Sequence, residues 1–137
     1  MNNYNEERIT VFLNAMGFNF RLASNKYSVF DAIDKKKEII IEYKHRNKFY
    51  DEVIHKFDKH NSNKAYIDDH PGYRFLYCVS MPVDDGEMTY IFEPLKLNLI
   101  WFDVMIPATT YFENKEKRLT KCCYLPLCEA IFSFKSK

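Results

Sequence analysis

The chain has 137 residues, with 20 Lys+Arg against 19 Asp+Glu and a formal net charge of +1, so whole-molecule charge does not announce a nucleic-acid binder. A composition that is 47% hydrophobic and 17% aromatic excludes a disordered chain and predicts one domain (1–137) built on large rings. Four cysteines (Cys78, Cys122, Cys123 and Cys128) without a Cys-x-x-Cys pair exclude a zinc site by spacing, and predict free, mostly buried thiols.

Taken in chain order, Asn3 or Asn5 can cap a first helix to about Met16, with Ile9, Phe12, Leu13 and Met16 as its stripe and Gly17 as its stop. Phe18 to Leu22 alternates as a strand. Tyr27 to Ile33 and Ile39 to Lys44 form two apolar runs around the hydrophilic turn Asp34-Lys35-Lys36-Lys37, which predicts a hairpin. A second helix is predicted from Lys48 to His60 on the stripe Phe49 or Tyr50, Val53, Ile54 and Phe57, followed by a polar loop from Asn61 to Gly72. Arg74 to Ser80 and Glu87 to Phe92 flank the turn Asp84-Asp85-Gly86 as a second hairpin, and Pro94 ends it. Leu97 to Ile106, around the single Trp101, reads as a strand or a short buried helix. Thr109-Thr110-Tyr111 and Glu113 to Arg118 read as a surface connection, and Leu119 to Leu125 as a last strand. The tail from Leu127 to Phe134 predicts a helical turn or a partner-binding patch.

The chemistry concentrates on the first hairpin. Side chains alternate across a strand, so Glu42 and Lys44 share one face and Tyr43 takes the other. A hairpin that brings Asp31 near Glu42 would gather two carboxylates and an ammonium at one end of a sheet. Mutual repulsion of two such carboxylates is relieved by a divalent cation, and oxygen ligands of this kind suit Mg²⁺, with Mn²⁺ as a substitute. The lysine would orient a water or stabilise charge in a displacement at phosphorus. From Lys35 to Lys64 there are nine Lys/Arg against five Asp/Glu, so a basic surface surrounds this motif. Lys35, Lys36, Arg46, Lys48 and Lys56 are its candidate phosphate contacts, with a solvated face as the alternative. His45, His55 and His60 are expected to be solvent-exposed or to lie near phosphate.

Asp31, the gap of about ten residues, and Glu42-Tyr43-Lys44 on a strand resemble the PD-(D/E)xK nuclease superfamily, with Phe30 where a proline is usual. The order helix, strand, hairpin, helix, strand resembles the same family over about residues 5–92, leaving about 93–137 as a β-rich C-terminal elaboration. The resemblance implies an α/β fold with a mixed sheet and a restriction-endonuclease-like core (helix-strand-strand-strand-helix-strand). It implies an Mg²⁺-dependent endonuclease in which Asp31 and Glu42 hold the metal and Lys44 assists the water. The Tyr43 carbonyl and a first-helix glutamate, Glu6 rather than Glu7, would be further ligands, and a lysine on the following helix, Lys59 with Lys56 in reserve, would point to the site. Small members are structure-selective and generally homodimeric, so branched or double-stranded DNA is the expected partner. A chain that keeps this fold as a DNA-binding or interaction module without catalysis is the alternative. No leader is evident and the longest apolar run is too short for a bilayer, so a cytoplasmic location is expected. Heavy use of Lys, Asn, Ile, Tyr and Phe fits an AT-rich coding genome such as a phage's, which would make that location the host cytoplasm.

Overall fold

The structure, a computed structural model, describes residues 4–25, 28–107 and 117–136. Helix α1 spans Tyr4–Ala15 and is followed by β1 (Arg21–Leu22), β2 (Ala32–Asp34) and β3 (Ile39–His45). Then come β4 (Glu52–Lys56), helix α2 (Phe57–Asp69), β5 (Arg74–Val83) and β6 (Gly86–Phe92). The last third supplies β7 (Phe102–Pro107), β8 (Lys117–Pro126) and β9 (Phe132–Ser136). This is an α/β fold on a mixed sheet, with the helix-strand-strand-strand-helix-strand order predicted from sequence and β4 inserted before α2.

The main sheet has six strands in the order β1-β2-β3-β5-β6-β9. Only β3 and β5 are parallel, in the register Ile39↔Arg74 through His45↔Ser80. A parallel pair needs a crossover, which β4 and α2 provide. Because β3 lies inside the sheet, its isoleucines serve both faces: Ile39 and Ile41 join a core with Ile9 and Leu13 of α1, while Ile40 joins one with Val53, Phe75 and Leu125. The second core is closed by a small sheet in the order β4-β8-β7.

Several sequence expectations are corrected. The helix predicted over Lys48 to His60 is a loop, the strand β4, and only the first turn of α2. Most of the predicted loop from Asn61 to Gly72 is α2 itself. Val53 and His55 are buried and alternate with Glu52, Ile54 and Lys56, which is strand periodicity with a β-branched centre. α2 escaped detection because its buried residues are the polar His60 and Asn63, which leaves no apolar stripe to read. The tail is not a free patch, since Phe132–Ser136 pairs with β6 after a single 3-10 turn at Leu127–Glu129. The predicted strand Phe18 to Leu22 shortens to Arg21–Leu22, and Leu97 to Ile106 holds a strand only from Phe102. The predicted connection through Thr109-Thr110-Tyr111 lies outside the described residues, as do Asn3 and Tyr27.

Gly17 does end α1: it has φ of +109°, and the Phe18 N–H returns to the Leu13 carbonyl at 3.2 Å. Cys78, Cys122 and Cys123 are buried, Cys128 is exposed, and all four are free thiols. Among the described residues no helix is long and apolar enough to cross a membrane.

The expected exposure of His55 and His60 is also overturned. Both are buried, with His55 Nε2 3.0 Å from His60 Nδ1 and Trp101 packed beside the two rings. Burial holds the His55 pKa down to about 3 and lowers that of His60, so the pair is neutral and hydrogen-bonded.

Asp34 is the last residue of β2 rather than part of the turn, and it is fully buried. Its carboxylate accepts the backbone N–H groups of Asn19 (2.8 Å), Lys36 (3.0 Å) and Lys37 (2.9 Å), which fixes the β2–β3 turn and the approach to β1. Asp34→Ala would strand three donors and is expected to lower stability by about 3 kcal/mol in urea denaturation, whereas exposed Lys35→Ala should change it by less than about 0.5 kcal/mol.

Candidate functional site

β2 ends before β3 does. Ala32 is opposite Ile41, so residues 42–45 of β3 extend past their neighbour on that side. The chain there is held by Asp31, whose N–H donates to the Ile41 carbonyl (2.9 Å) and whose carboxylate accepts the Tyr43 N–H (2.7 Å). A residue in a strand directs its N–H and C=O to the same side, so the Tyr43 carbonyl also opens toward Asp31. The expected juxtaposition of Asp31 with Glu42-Tyr43-Lys44 is therefore present.

These residues line a cavity of about 350 Å³, together with Glu6, His45, Lys59 and Ser80. α1 supplies Glu6 through a local chain of hydroxyls. The Thr10 hydroxyl donates to the Glu6 carbonyl (2.7 Å), and the hydroxyl of half-buried Tyr43 lies 2.9 Å from that of Thr10. Glu7 is exposed and faces elsewhere. α2 supplies Lys59, whose Nζ is 3.9 Å from Glu42 Oε2. Lys56 closes β4, so the cation that reaches Glu42 is Lys59.

The electrostatics are unbalanced. Burial, opposed by Lys59 and reinforced by the Asp31 charge, raises the Glu42 pKa to about 7. Burial and then Asp31 raise Glu6 to about 6, and burial raises Asp31 against the Tyr43 N–H and the Lys59 and Lys44 charges. Lys44 is pushed the other way, to about 8, by burial first and then by Arg46 and Lys56. Among the described residues no three His, Cys, Asp or Glu side chains converge into a metal cluster.

Two residues that the sequence reading left out belong to this region. Asn63, fully buried on α2, lies beside Glu42 and donates through Nδ2 to the Lys59 carbonyl at 2.8 Å, while its Oδ1 has no hydrogen-bond partner among the described residues. Its polarity one turn after Lys59 is the signal, visible once α2 is correctly bounded. Glu87 of β6 reaches His45 Nδ1 at 3.3 Å and Arg8 at 2.7 Å, which ties α1, β3 and β6 together at the cavity rim.

The basic candidates divide. Arg46 and Lys56 stand near Lys44, and exposed Lys48 follows in the next loop. Lys35 and Lys36 lie on the turn at the opposite end of β3 and line a separate hollow with Arg21.

The raised Glu42 pKa has a consequence for stability. Folded Glu42 keeps its proton up to about pH 7 while an unfolded glutamate loses it near 4.5, so stability falls as pH rises through this window. Glu42→Gln is expected to stabilise the metal-free protein at pH 7.5 by about 2 kcal/mol and to have little effect near pH 5. Thermal melts of both proteins across that range test the sign.

Known proteins bear on the fold alone. No protein-family model matches the chain, and no curated protein matches it either. Among solved structures, the chain is similar to Hjc of Archaeoglobus fulgidus, a Holliday junction resolvase from an archaeal hyperthermophile, at TM-score 0.55 and 14% identity. The match covers 88% of this chain and 86% of that one, so the overall fold is shared with Hjc.

Proposed function

We propose that the chain, as a single nuclease-like domain, is a metal-dependent DNA endonuclease of the PD-(D/E)xK type that acts on branched or otherwise non-uniform DNA. The observation that carries this reading is the meeting of Asp31, Glu42 and Lys44 in one cavity at the free end of β3. The likeness of the fold to a Holliday junction resolvase supports the substrate class. Action as a homodimer in the cytoplasm, the host's if the gene is a phage's, fits a reaction that must cut two strands.

The donor set fits a hard divalent cation. Asp31 and Glu42, both half-buried, repel one another in a cavity whose nearest cation contact to Glu42 is 3.9 Å away, so negative charge there is only partly compensated. Asp31, Glu42 and the Tyr43 carbonyl would hold Mg²⁺ or Mn²⁺, with Glu6 on the cavity wall outside that set. When bound, the ion would supply charge neutralisation at the scissile phosphate. Lys44, with its pKa held near 8, can donate a hydrogen bond to an attacking water or to a phosphate oxygen. Lys59 restrains Glu42 and adds positive charge beside the phosphate, and Asn63 braces the backbone of Lys59. Arg46, Lys48 and Lys56 supply phosphate contacts near the cavity. Lys35 and Lys36, at the other end of β3, would contact only DNA that extends along the hairpin.

The non-catalytic reading, a DNA-binding module on the same scaffold, draws on the Lys59–Glu42 contact, which offers Glu42 a cation from the chain itself. Metal binding separates the two. Mn²⁺ should raise the melting temperature of the wild type more at pH 8 than at pH 6, where protons compete for Glu42, and should not raise that of Glu42→Gln. Cleavage of four-way, nicked or linear DNA with Mg²⁺ or Mn²⁺ should fall at least about a hundredfold in Glu42→Gln and in Lys44→Ala, the loss of about 2.7 kcal/mol of transition-state stabilisation. DNA affinity should persist in Glu42→Gln. Wild-type protein that binds no metal and cuts none of these substrates would leave the module reading in its place.

A further inference from the structure

A second surface begins where the catalytic cavity ends. The loop from Arg46 to Asp51 is held at both ends: the Arg46 N–H donates to the Ser80 carbonyl (2.9 Å), and the Asp51 carbonyl accepts the Leu127 N–H (3.1 Å). Between these ties it presents Tyr50, 48% exposed, over a hollow of about 240 Å³ shared with Arg46, Glu52, Ile54 and Tyr124.

Tyr124 continues the surface onto the outer face of the small sheet. There Ile54 pairs with Tyr124, and Lys56, Cys122 and Phe102 form the next row across β4, β8 and β7. The Tyr124 and Phe102 rings meet at 5.1 Å between centroids while remaining 37% and 38% exposed. On their far side lies a larger hollow of about 510 Å³, walled by Leu99 and Ile100 with Lys96 at its border. Solvent-facing rings thus run outward from the cavity, with cations beside them. Arg46 and Lys56, which border the rings, are also the cations that act on Lys44. Glu52 and Glu129 are acids lining the two hollows.

We propose that this face, formed by Tyr50, Phe102 and Tyr124 with Arg46 and Lys56, holds an unpaired DNA strand by base stacking as that strand enters or leaves the catalytic cavity. The inference rests on the nuclease reading for what happens in the cavity and deepens it, since it makes the favoured substrate one with a single-stranded segment next to the scissile bond. The chemistry selects this occupant. In a duplex the flat faces of bases are covered by their neighbours, and only an unpaired strand can offer them to exposed rings while its phosphates reach Arg46 and Lys56. The rings and Arg46 would suit a second protein copy as well, and Lys56 favours the strand, since lysine is depleted at protein–protein interfaces while phosphate attracts it.

The test uses full-length protein without divalent metal, so that binding is read without cleavage. The probes are a fluorescent oligothymidine, a blunt duplex, and an oligonucleotide carrying 2-aminopurine. Wild-type protein should quench the 2-aminopurine. Tyr124→Ala and Phe102→Ala should each weaken oligothymidine binding about tenfold, with a smaller loss on duplex, as stacking on an aromatic ring predicts. Val11→Ala, at an exposed position on α1, should change neither. The proposal is overturned if wild type binds the strand without quenching, or if both ring variants bind it as wild type does. It is equally overturned if the ring variants abolish a dimer seen by mass photometry yet bind the strand normally. Metal-dependent cutting with unaltered strand binding by the ring variants would remove this surface and keep the nuclease. Ring-dependent strand binding without any cutting would keep the surface and remove the nuclease.

Discussion

The hydrogen bond from the Tyr43 N–H to the Asp31 carboxylate is the constraint on which the site depends. β2 begins only at Ala32, opposite Ile41, and without a substitute the last residues of β3 would show an open edge of backbone groups. Asp31 fills the place of a strand residue with its side chain. An acid is thereby fixed in the plane of the sheet, next to the Tyr43 carbonyl. Alternation then settles the rest: Glu42 and Lys44 turn toward α2, while Tyr43 and His45 turn toward α1 and β6. One short strand produces both the cavity and the arrangement of groups in it.

The cavity is held at an energetic cost that the surrounding core offsets. Three carboxyl pKa values are raised and one ammonium pKa is lowered, all chiefly by burial. Near neutral pH the metal-free protein carries these charges against their preference, which is the pattern expected where function rather than stability has set the residues. The restraint comes from elements with no chemistry of their own. Ile39, Ile40 and Ile41 anchor β3 on both faces directly before Glu42.

The legible parts of the sequence were those where local signal and tertiary role agree. The first hairpin was readable from its turn and its charged second strand, but its first strand, expected over Tyr27 to Ile33, is only Ala32–Asp34. The second hairpin was readable from Asp84-Asp85-Gly86, and its register Val83↔Gly86 carries that turn. β4 and α2 were misread together because Val53 and Ile54 satisfy helical spacing as well as strand alternation. The true helix carries His60 and Asn63 inward, where a detectable helix would carry leucines. β9 was missed because Leu127, Ala130, Ile131 and Phe134 also fit a helical turn, although Phe132-Ser133-Phe134-Lys135 alternates as a strand does. Glu87 and Arg8 lie far apart in the chain, and only the pairing of β6 with β5 brings Glu87 beneath His45.

The same misreading explains why the histidines looked free. His55 belongs to the small sheet and His60 to α2, so their hydrogen bond joins two elements that local sequence cannot relate. Neutral imidazoles suit this role, since one can donate and the other accept inside an aromatic enclosure of Phe75, Tyr77 and Trp101. The turn of α2 that bears His60 also bears Lys59 and, three residues on, Asn63. Fixing His60 against β4 therefore sets the rotation of α2, and with it the direction from which Lys59 meets Glu42. The small sheet thus takes part in the site twice, through Lys56 near Lys44 and through the buried ring that sets the approach of Lys59 to Glu42.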